Sequence, residues 1–236
     1  MVPVDRVLEA VAGRMDGLVP KVMRRLNEGL HDRQVSIGMR RDLSEPFTPP
    51  PARIPVALRP FTVNDLPALF PLTDAEVGAR ERADIAWRLG MVERGAFASH
   101  CFVAVDERSD TPCHVQWLTE AGYDEVIRRA GALPTLGGDE AMLENAYTPS
   151  AYWGLGIMSA VTALLAERAA ALGARRVVAL IDEDNLPSLK GARRAGFRPY
   201  MVRVREQYCY GLFRSVRFMP MPAAAPSEGP SQQAGP

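Results

Sequence analysis

The stretch Met142-Leu143-Glu144-Asn145-Ala146-Tyr147-Thr148-Pro149-Ser150-Ala151-Tyr152-Trp153-Gly154-Leu155-Gly156-Ile157 decides the reading of this chain. The run Met142 to Tyr147 reads as a strand and meets Pro149, which cannot donate to a sheet ladder. Gly154 and Gly156 follow, and then Ile157, Val161, Leu164, Leu165, Ala169 and Leu172 recur at helical spacing until Gly173 stops the helix. The order is strand, glycine loop, helix. The first turn of a helix has N–H groups without intrahelical partners and carries the positive end of the dipole, so it binds phosphate. With no Cβ on Gly154 or Gly156, an anion can reach the Gly154, Leu155, Gly156 and Ile157 amides, and Met158 shares that first turn. A pyrophosphate fits such a cradle.

Spacing removes two familiar pyrophosphate sites. A P-loop ends in Gly-Lys-Ser/Thr, whereas Gly156 is followed by Ile157 and Met158. A dinucleotide fingerprint needs a third glycine where this chain has Ser159, even though Asp182 lies near the distance of the ribose-binding acid. After Gly173 come a compact apolar strand, Val177 to Ile181, the polar run Asp182-Glu183-Asp184-Asn185, a short helix from Leu186 to Ala195, and Gly196-Phe197.

This pair of signatures, Ala151 to Gly156 and Asn185 to Phe197, resembles the GNAT superfamily of acyl-CoA N-acyltransferases. The family's phosphate loop reads Arg/Gln-x-x-Gly-x-Gly/Ala, and its next strand is followed by Asn, a short helix and Gly-Phe. The resemblance implies an α/β (α+β) fold with a mixed, mostly antiparallel central sheet flanked by helices. It also implies acetyl-CoA as acyl donor and N-acetyl transfer to a small-molecule or amino-group acceptor. Two positions depart from the pattern. Ala151 stands where the family has Arg or Gln, so one phosphate contact is missing or is supplied by Tyr152 or Trp153. Ala192 stands where the family often has a Tyr, as the acid for the leaving thiolate; Tyr208 and Tyr210 are candidate replacements. An acyl-CoA-binding module without turnover, or an acyltransferase with a longer acyl donor or a hydroxyl acceptor, stays open beside the N-acetyltransferase.

Composition narrows the setting. The 236 residues, 47% hydrophobic, suffice for one substantial core. Twenty-eight basic and 28 acidic residues balance, which argues against nucleic acid as the main partner. Cys101, Cys113 and Cys209 lack metal-ligand spacing and no signal peptide is read ahead of them, so they are expected to be reduced thiols of a cytoplasmic protein. The scattered His31, His100 and His114 give no metal site, and the apolar runs are too short and interrupted for a membrane span.

Along the chain, Val4, Leu8, Val11, Met15, Leu18, Val22 and Leu26 mark an amphipathic helical segment interrupted at Pro20, whose apolar side would pack on the domain or on a second copy in a homodimer. The stretch from Arg33 is mixed, and Pro46, Pro49, Pro50, Pro51 and Pro55 read as an extended linker. The expected organisation is a helical appendage with linker over residues 1–54, a GNAT-like domain over 55–219 and a disordered tail over 220–236. Within the domain, Val56 to Pro60 is a strand, Thr62 with Asp65 caps a helix, and a second helix runs from Asp74 to Glu93, its apolar side interrupted by Glu81. Phe97 to Val105 and His114 to Leu118 form a hairpin. The 119–140 insertion either covers the acceptor side or is a surface loop. Met201 to Arg205 and Tyr208 to Arg217 close the sheet, with Arg203, Arg205, Arg214 and Arg217 on a solvated face or facing an anionic acceptor.

The resemblance then assigns roles. The pantetheine arm would run along the strand ending at Tyr147 and Thr148, where a backbone N–H would stabilise the oxyanion. The cofactor set is Tyr147, Thr148, Trp153, Gly154, Leu155, Gly156, Ile157, Met158, Asn185 and Ser188, with Asn185 holding a water or the pantetheine arm or merely capping its helix. Glu144, a carboxylate in an apolar strand, is the candidate general base if it faces the site, its pKa raised by burial; the alternative is that it faces outward or pairs with an arginine. His114 and Trp117 are the candidate acceptor-pocket residues, against a plainer role in core or edge.

Overall fold

The computed structural model describes residues 30–70, 78, 81–83, 85, 86, 88, 89, 101–120, 134–209 and 212–221. The expected N-terminal helix, residues 97–100, most of the 119–140 insertion, Tyr210 and the tail beyond Met221 lie outside them.

The strands are β1 (His31–Asp42), β2 (Val56–Pro60), β3 (Cys101–Asp106), β4 (Thr111–Glu120), β5 (Glu140–Tyr147), β6 (Arg176–Asp182), β7 (Arg198–Tyr208) and β8 (Phe213–Pro220). The helices are α1 (Leu66–Leu69), entered through a 3-10 turn at Val63–Asp65, α2 (Ile157–Ala171) and α3 (Leu186–Arg194). Residues 81–83, 85, 86, 88 and 89, within the expected second helix, are also helical. The strands form one sheet in the order β2-β3-β4-β5-β6-β1-β7-β8, with β5 and β6 parallel and every other neighbouring pair antiparallel. The mixed, mostly antiparallel sheet flanked by helices is as expected.

Residues 31–42, which the sequence reading placed with the appendage, form a strand deep in the sheet, between β6 and β7. Val35, Ile37 and Met39 alternate toward the side covered by α2 and α3, and Met39 is fully buried. Their polar neighbours Gln34 and Ser36 bond Asp182 of β6 from the other side, at 2.6 and 2.7 Å. The proline-rich segment behind β1 is likewise packed. Phe47, Ala52 and Ile54 join the core made by α2, α3 and the sheet, so the segment is a strap across the domain.

Two apolar layers flank the sheet. On one side Ile157, Val161, Leu165 and Ala169 of α2 and Leu189 of α3 cover Leu118, Leu143, Val177 and Ile181. On the other, Leu69 of α1, Phe70 and Ile85 cover Val103, Val115, Trp117 and Tyr147. At the start of α1, Asp65 accepts from the Thr62 N–H at 2.7 Å and from its hydroxyl at 3.1 Å, and holds Arg59 with both oxygens. No helix among the described residues is long and apolar enough to cross a membrane.

Candidate functional site: a cleft between two parallel strands

The parallel pair β5 and β6 is joined only at its start, through Glu140↔Arg176, Ala141↔Val177 and Met142↔Val178. Beyond Met142 the two strands separate, while β5 stays paired with β4 as far as Val115↔Tyr147. One extra residue enters β5 between Trp117↔Glu144 and Val115↔Tyr147, and Asn145 takes φ +53° there. This bulge bends β5 away from β6. The facing edges of Leu143–Tyr147 and Ala179–Asp182 therefore carry backbone groups with no strand opposite, and the parting begins well before Pro149.

The glycine loop sits at the end of β5. Ser150–Tyr152 form a 3-10 turn, and Gly154 and Gly156 both take φ +75°, a left-handed conformation that favours glycine. A Cβ on Gly154 would meet nothing within 4 Å, so the space in front of it is open. A Cβ on Gly156 would instead touch the strap, at Pro51 O and Ala52 Cα. Among the described residues, the Gly154, Leu155, Gly156 and Ile157 N–H groups donate to no backbone carbonyl. This is the donor set a phosphate needs. The Trp153 indole is 63% exposed and donates to the Thr148 carbonyl at 2.7 Å, tying the loop to β5.

Glu144 and Trp117 are cross-strand neighbours on the α1 side of the sheet. The Thr119 hydroxyl donates to Glu144 Oε2 at 3.0 Å, and burial raises the Glu144 pKa. Glu144 thus lies on the α1 side of the sheet, without an arginine partner among the described residues. Tyr147 stands beyond it. Its ring lies 5.4 Å from that of Phe70 and beneath the Arg88 guanidinium, and its hydroxyl donates to Glu81 at 2.9 Å. The same Glu81 oxygen accepts from the Ser150 N–H at 3.1 Å. The acid that interrupts the apolar side of its helix therefore braces the junction of β5 and the loop, a role sequence reasoning missed; its signal was that interruption.

His114 departs from expectation. It points to the α2 side, opposite Trp117, is fully buried, and lies 2.7 Å from the Thr148 hydroxyl through Nδ1 and 3.4 Å from Gln116 Oε1 through Nε2. Gln116 in turn accepts from Thr162 of α2. Because Gln116 offers an acceptor, Nε2 carries the proton and Nδ1 accepts from Thr148. Burial pushes the His114 pKa down to about 4, so the ring is neutral at physiological pH. His114 and Trp117 do not share a pocket, because residues an odd number apart on a regular strand face opposite sides.

The remaining expected residues fall around α3. Asn185 caps this helix, with Oδ1 accepting from the Ser188 N–H at 3.3 Å. Met158 packs against Gly191, where a Cβ would lie 3.0 Å from its sulfur, so the first turn of α2 leans on α3. Ala192 is buried in the core. Tyr208 stacks on His31 on β7, a strand separated from β6 by β1, and is not brought to the cleft. Arg203, expected on a solvated face, is 12% exposed and donates to Ser36 beside Asp182. Cys101 and Cys113 are buried free thiols whose pKa values burial raises. Among the described residues no group of His, Cys, Asp and Glu could hold a metal ion.

Residues 56–198 match the acetyltransferase (GNAT) domain family. Among solved structures, a glucosamine N-acetyltransferase region of a fungal multi-domain GH3 β-N-acetylglucosaminidase aligns with a TM-score of 0.53 at 13% identity, covering 80% of this chain and 21% of that one. A GNAT-family acetyltransferase from Colwellia psychrerythraea aligns with a TM-score of 0.46 at 16% identity, over 80% and 57% of the two chains. One from Sphaerobacter thermophilus gives 0.48 at 15%, over 80% and 56%. The chain thus spans little more than half the length of these relatives, or less. No curated protein matches it.

Proposed function

The chain belongs to the acetyltransferase (GNAT) domain family, and from that premise we propose that it is an acetyl-CoA-dependent N-acetyltransferase that passes the acyl group directly to an amine. The observation that carries this reading is the parting of β5 from β6 after Met142, with a glycine cradle on one flank and Glu144 on the other.

The residues present fit the donor. The Gly154, Leu155, Gly156 and Ile157 amides hold its pyrophosphate at the N-terminus of α2, where the dipole favours negative charge. The open edges of β5 and β6 offer N–H and C=O groups to the pantetheine amides, as they would to an added strand. Ser188 and the amide nitrogen of Asn185 stand at the start of α3 on the β6 flank. A backbone N–H at Tyr147 or Thr148 stabilises the negative charge that develops on the acyl oxygen. Glu144, held by Thr119 and beside Trp117, accepts the proton that the attacking amine gives up as its nitrogen bonds the acyl carbon and the C–S bond breaks. With Ala192 in the core, the proton taken by Glu144 is the one available to the departing thiolate.

The test is thiol release from acetyl-CoA across a panel of primary amines, with mass analysis of each amine. Amine-dependent release with an acetylated product supports the proposal. Binding of acetyl-CoA without release on any amine would leave an acyl-CoA-binding module, and release only with longer acyl donors or with alcohols would move the activity to another acyltransferase class.

A further inference from the structure

The glycine cradle has no charge of its own. No Asp, Glu, Lys, Arg or His occurs between Glu144 and Glu167, and the position where the family's pattern puts Arg or Gln is Ala151. Every group the loop offers an anion is thus a neutral N–H or O–H, helped by a helix terminus equivalent to roughly half an elementary charge. A pyrophosphate carries more charge than that, so a cation has to come from elsewhere.

The strap brings one. The Arg53 N–H donates to the Leu155 carbonyl, between the two glycines, at 2.8 Å. The strap's backbone is fixed on both sides of this contact. Phe47 lies where a Cβ on Gly196 would come within 2.8 Å of its ring, and the Arg41 guanidinium lies over that ring at 4.2 Å. Downstream, Ile54 is buried and the Pro55 carbonyl accepts from the Glu107 N–H at 3.1 Å. Pro49, Pro50 and Pro51 hold φ on the approach, so little backbone freedom is left to lose. Ala52 and Ile54 pack into the core, and Arg53 between them is exposed. Its guanidinium makes no hydrogen bond or ion pair among the described residues. Two arginines near the strap are engaged: Arg108 holds both oxygens of Asp106, and Arg41 is buried against Phe47 and the Ala195 carbonyl.

We infer that Arg53 is a donor-binding residue, supplying from the strap the phosphate-pairing cation that the loop lacks. The inference rests on reading the Ser150–Gly156 loop as the cradle for the phosphates of an acyl-CoA. A guanidinium is suited to the task because its planar fork pairs with two phosphate oxygens at once. Arg53 lies outside residues 56–198, so the contact belongs to this chain's own strap rather than to the matched family segment. The phosphate it meets is either the pyrophosphate or the 3′-phosphate of the donor.

The experiment is isothermal titration calorimetry of the full chain with acetyl-CoA and with dephospho-coenzyme A, which lacks the 3′-phosphate, at low and moderate salt. The proteins are the wild type, Arg53→Ala, Arg53→Lys and, as a control for net charge, Arg217→Ala on β8. Arg53→Ala is expected to weaken acetyl-CoA about tenfold, roughly 1.4 kcal/mol, and to flatten the salt dependence. Arg53→Lys should recover part of the loss and Arg217→Ala should bind as the wild type does. A tenfold loss that persists on dephospho-coenzyme A assigns the pyrophosphate, and a loss confined to acetyl-CoA assigns the 3′-phosphate. Arg53→Ala binding as tightly as the wild type overturns the inference and leaves the cradle standing. A wild type that binds neither ligand overturns both.

Discussion

His114 and Glu144 lie on adjacent strands, β4 and β5, yet they face opposite sides of the sheet and are held in opposite ways. His114 has a hydrogen-bond partner at each nitrogen, is fully buried, and is kept neutral by burial. Glu144 has one partner, Thr119, keeps an oxygen free among the described residues, and has its pKa raised by burial beside an opening in the sheet. A buried polar group with every valence satisfied holds structure together, whereas one left partly satisfied next to a cleft is available for proton transfer.

The largest effect that would break this contrast is on turnover. Glu144→Gln should lower kcat by about 10²- to 10⁴-fold, the usual worth of a positioned general base, while the Kd for acetyl-CoA stays within about twofold. Steady-state kinetics beside calorimetry check both, and an unchanged kcat would remove Glu144 from the chemistry. The wild-type rate should also rise with pH through an apparent pKa above the ordinary carboxylate range, because the base must be ionised, and that limb should vanish in the glutamine variant.

Next in size is stability at His114. His114→Leu leaves the Thr148 hydroxyl without its acceptor, at about 1–3 kcal/mol, while Gln116 keeps Thr162, so denaturant unfolding should show a loss of about 1–3 kcal/mol. The pH–rate limb set by Glu144 should stay where it is. A displaced limb with unchanged stability would reverse the roles assigned to the two residues.

The two side chains should also respond to pH with opposite signs. The folded state lowers the His114 pKa, so the unfolded chain binds the proton more readily and stability falls as pH drops from about 6.5 toward about 4. The folded state raises the Glu144 pKa, so stability is lost as pH rises through the carboxylate range and beyond. Glu144→Gln should accordingly raise Tm at pH 7 and leave it unchanged near pH 4, which thermal melts at the two pH values resolve.

The smallest effect concerns the brace. Glu81→Gln weakens two charge-assisted bonds, to the Tyr147 hydroxyl and the Ser150 N–H, and should cost about 1 kcal/mol of stability. Donor affinity should fall slightly as the loop loosens.

These contrasts also mark what could be read from the sequence. The loop, β5 and α2 were legible because their signals are local: two glycines with positive φ, a proline, and an apolar period that switches from strand to helix within about ten residues. The capping acid Asp65 and the end of α2 at Gly173 are local in the same way. β1 was not legible. Its alternation is confined to Val35, Ile37 and Met39 and is bounded by Arg40, Arg41 and a run of prolines, while its partners lie more than 130 residues away in β6 and β7. The strap looked like a linker for the same reason, since the surfaces that bury Phe47 and Ile54 come from distant parts of the chain. Glu81 looked like a defect in a helix because a charge on an apolar side makes sense only once Tyr147 and Ser150 stand opposite. The opposed directions of His114 and Trp117 were available from strand parity and were overlooked in favour of residue type.

The measurement that tests the division of the cleft most directly is the Kd for acetyl-CoA, by calorimetry, of the wild type, Gly154→Asp and Glu144→Gln. Aspartate tolerates the left-handed conformation at position 154 better than most side chains, and its carboxylate would stand in the open space before the cradle. The account predicts binding by the wild type and by Glu144→Gln, and none by a folded Gly154→Asp, which would also forgo the roughly 2.7 kcal/mol of stabilisation that a hundredfold excess of ligand over Kd confers. Binding that survives in Gly154→Asp, or is lost in Glu144→Gln, would contradict it.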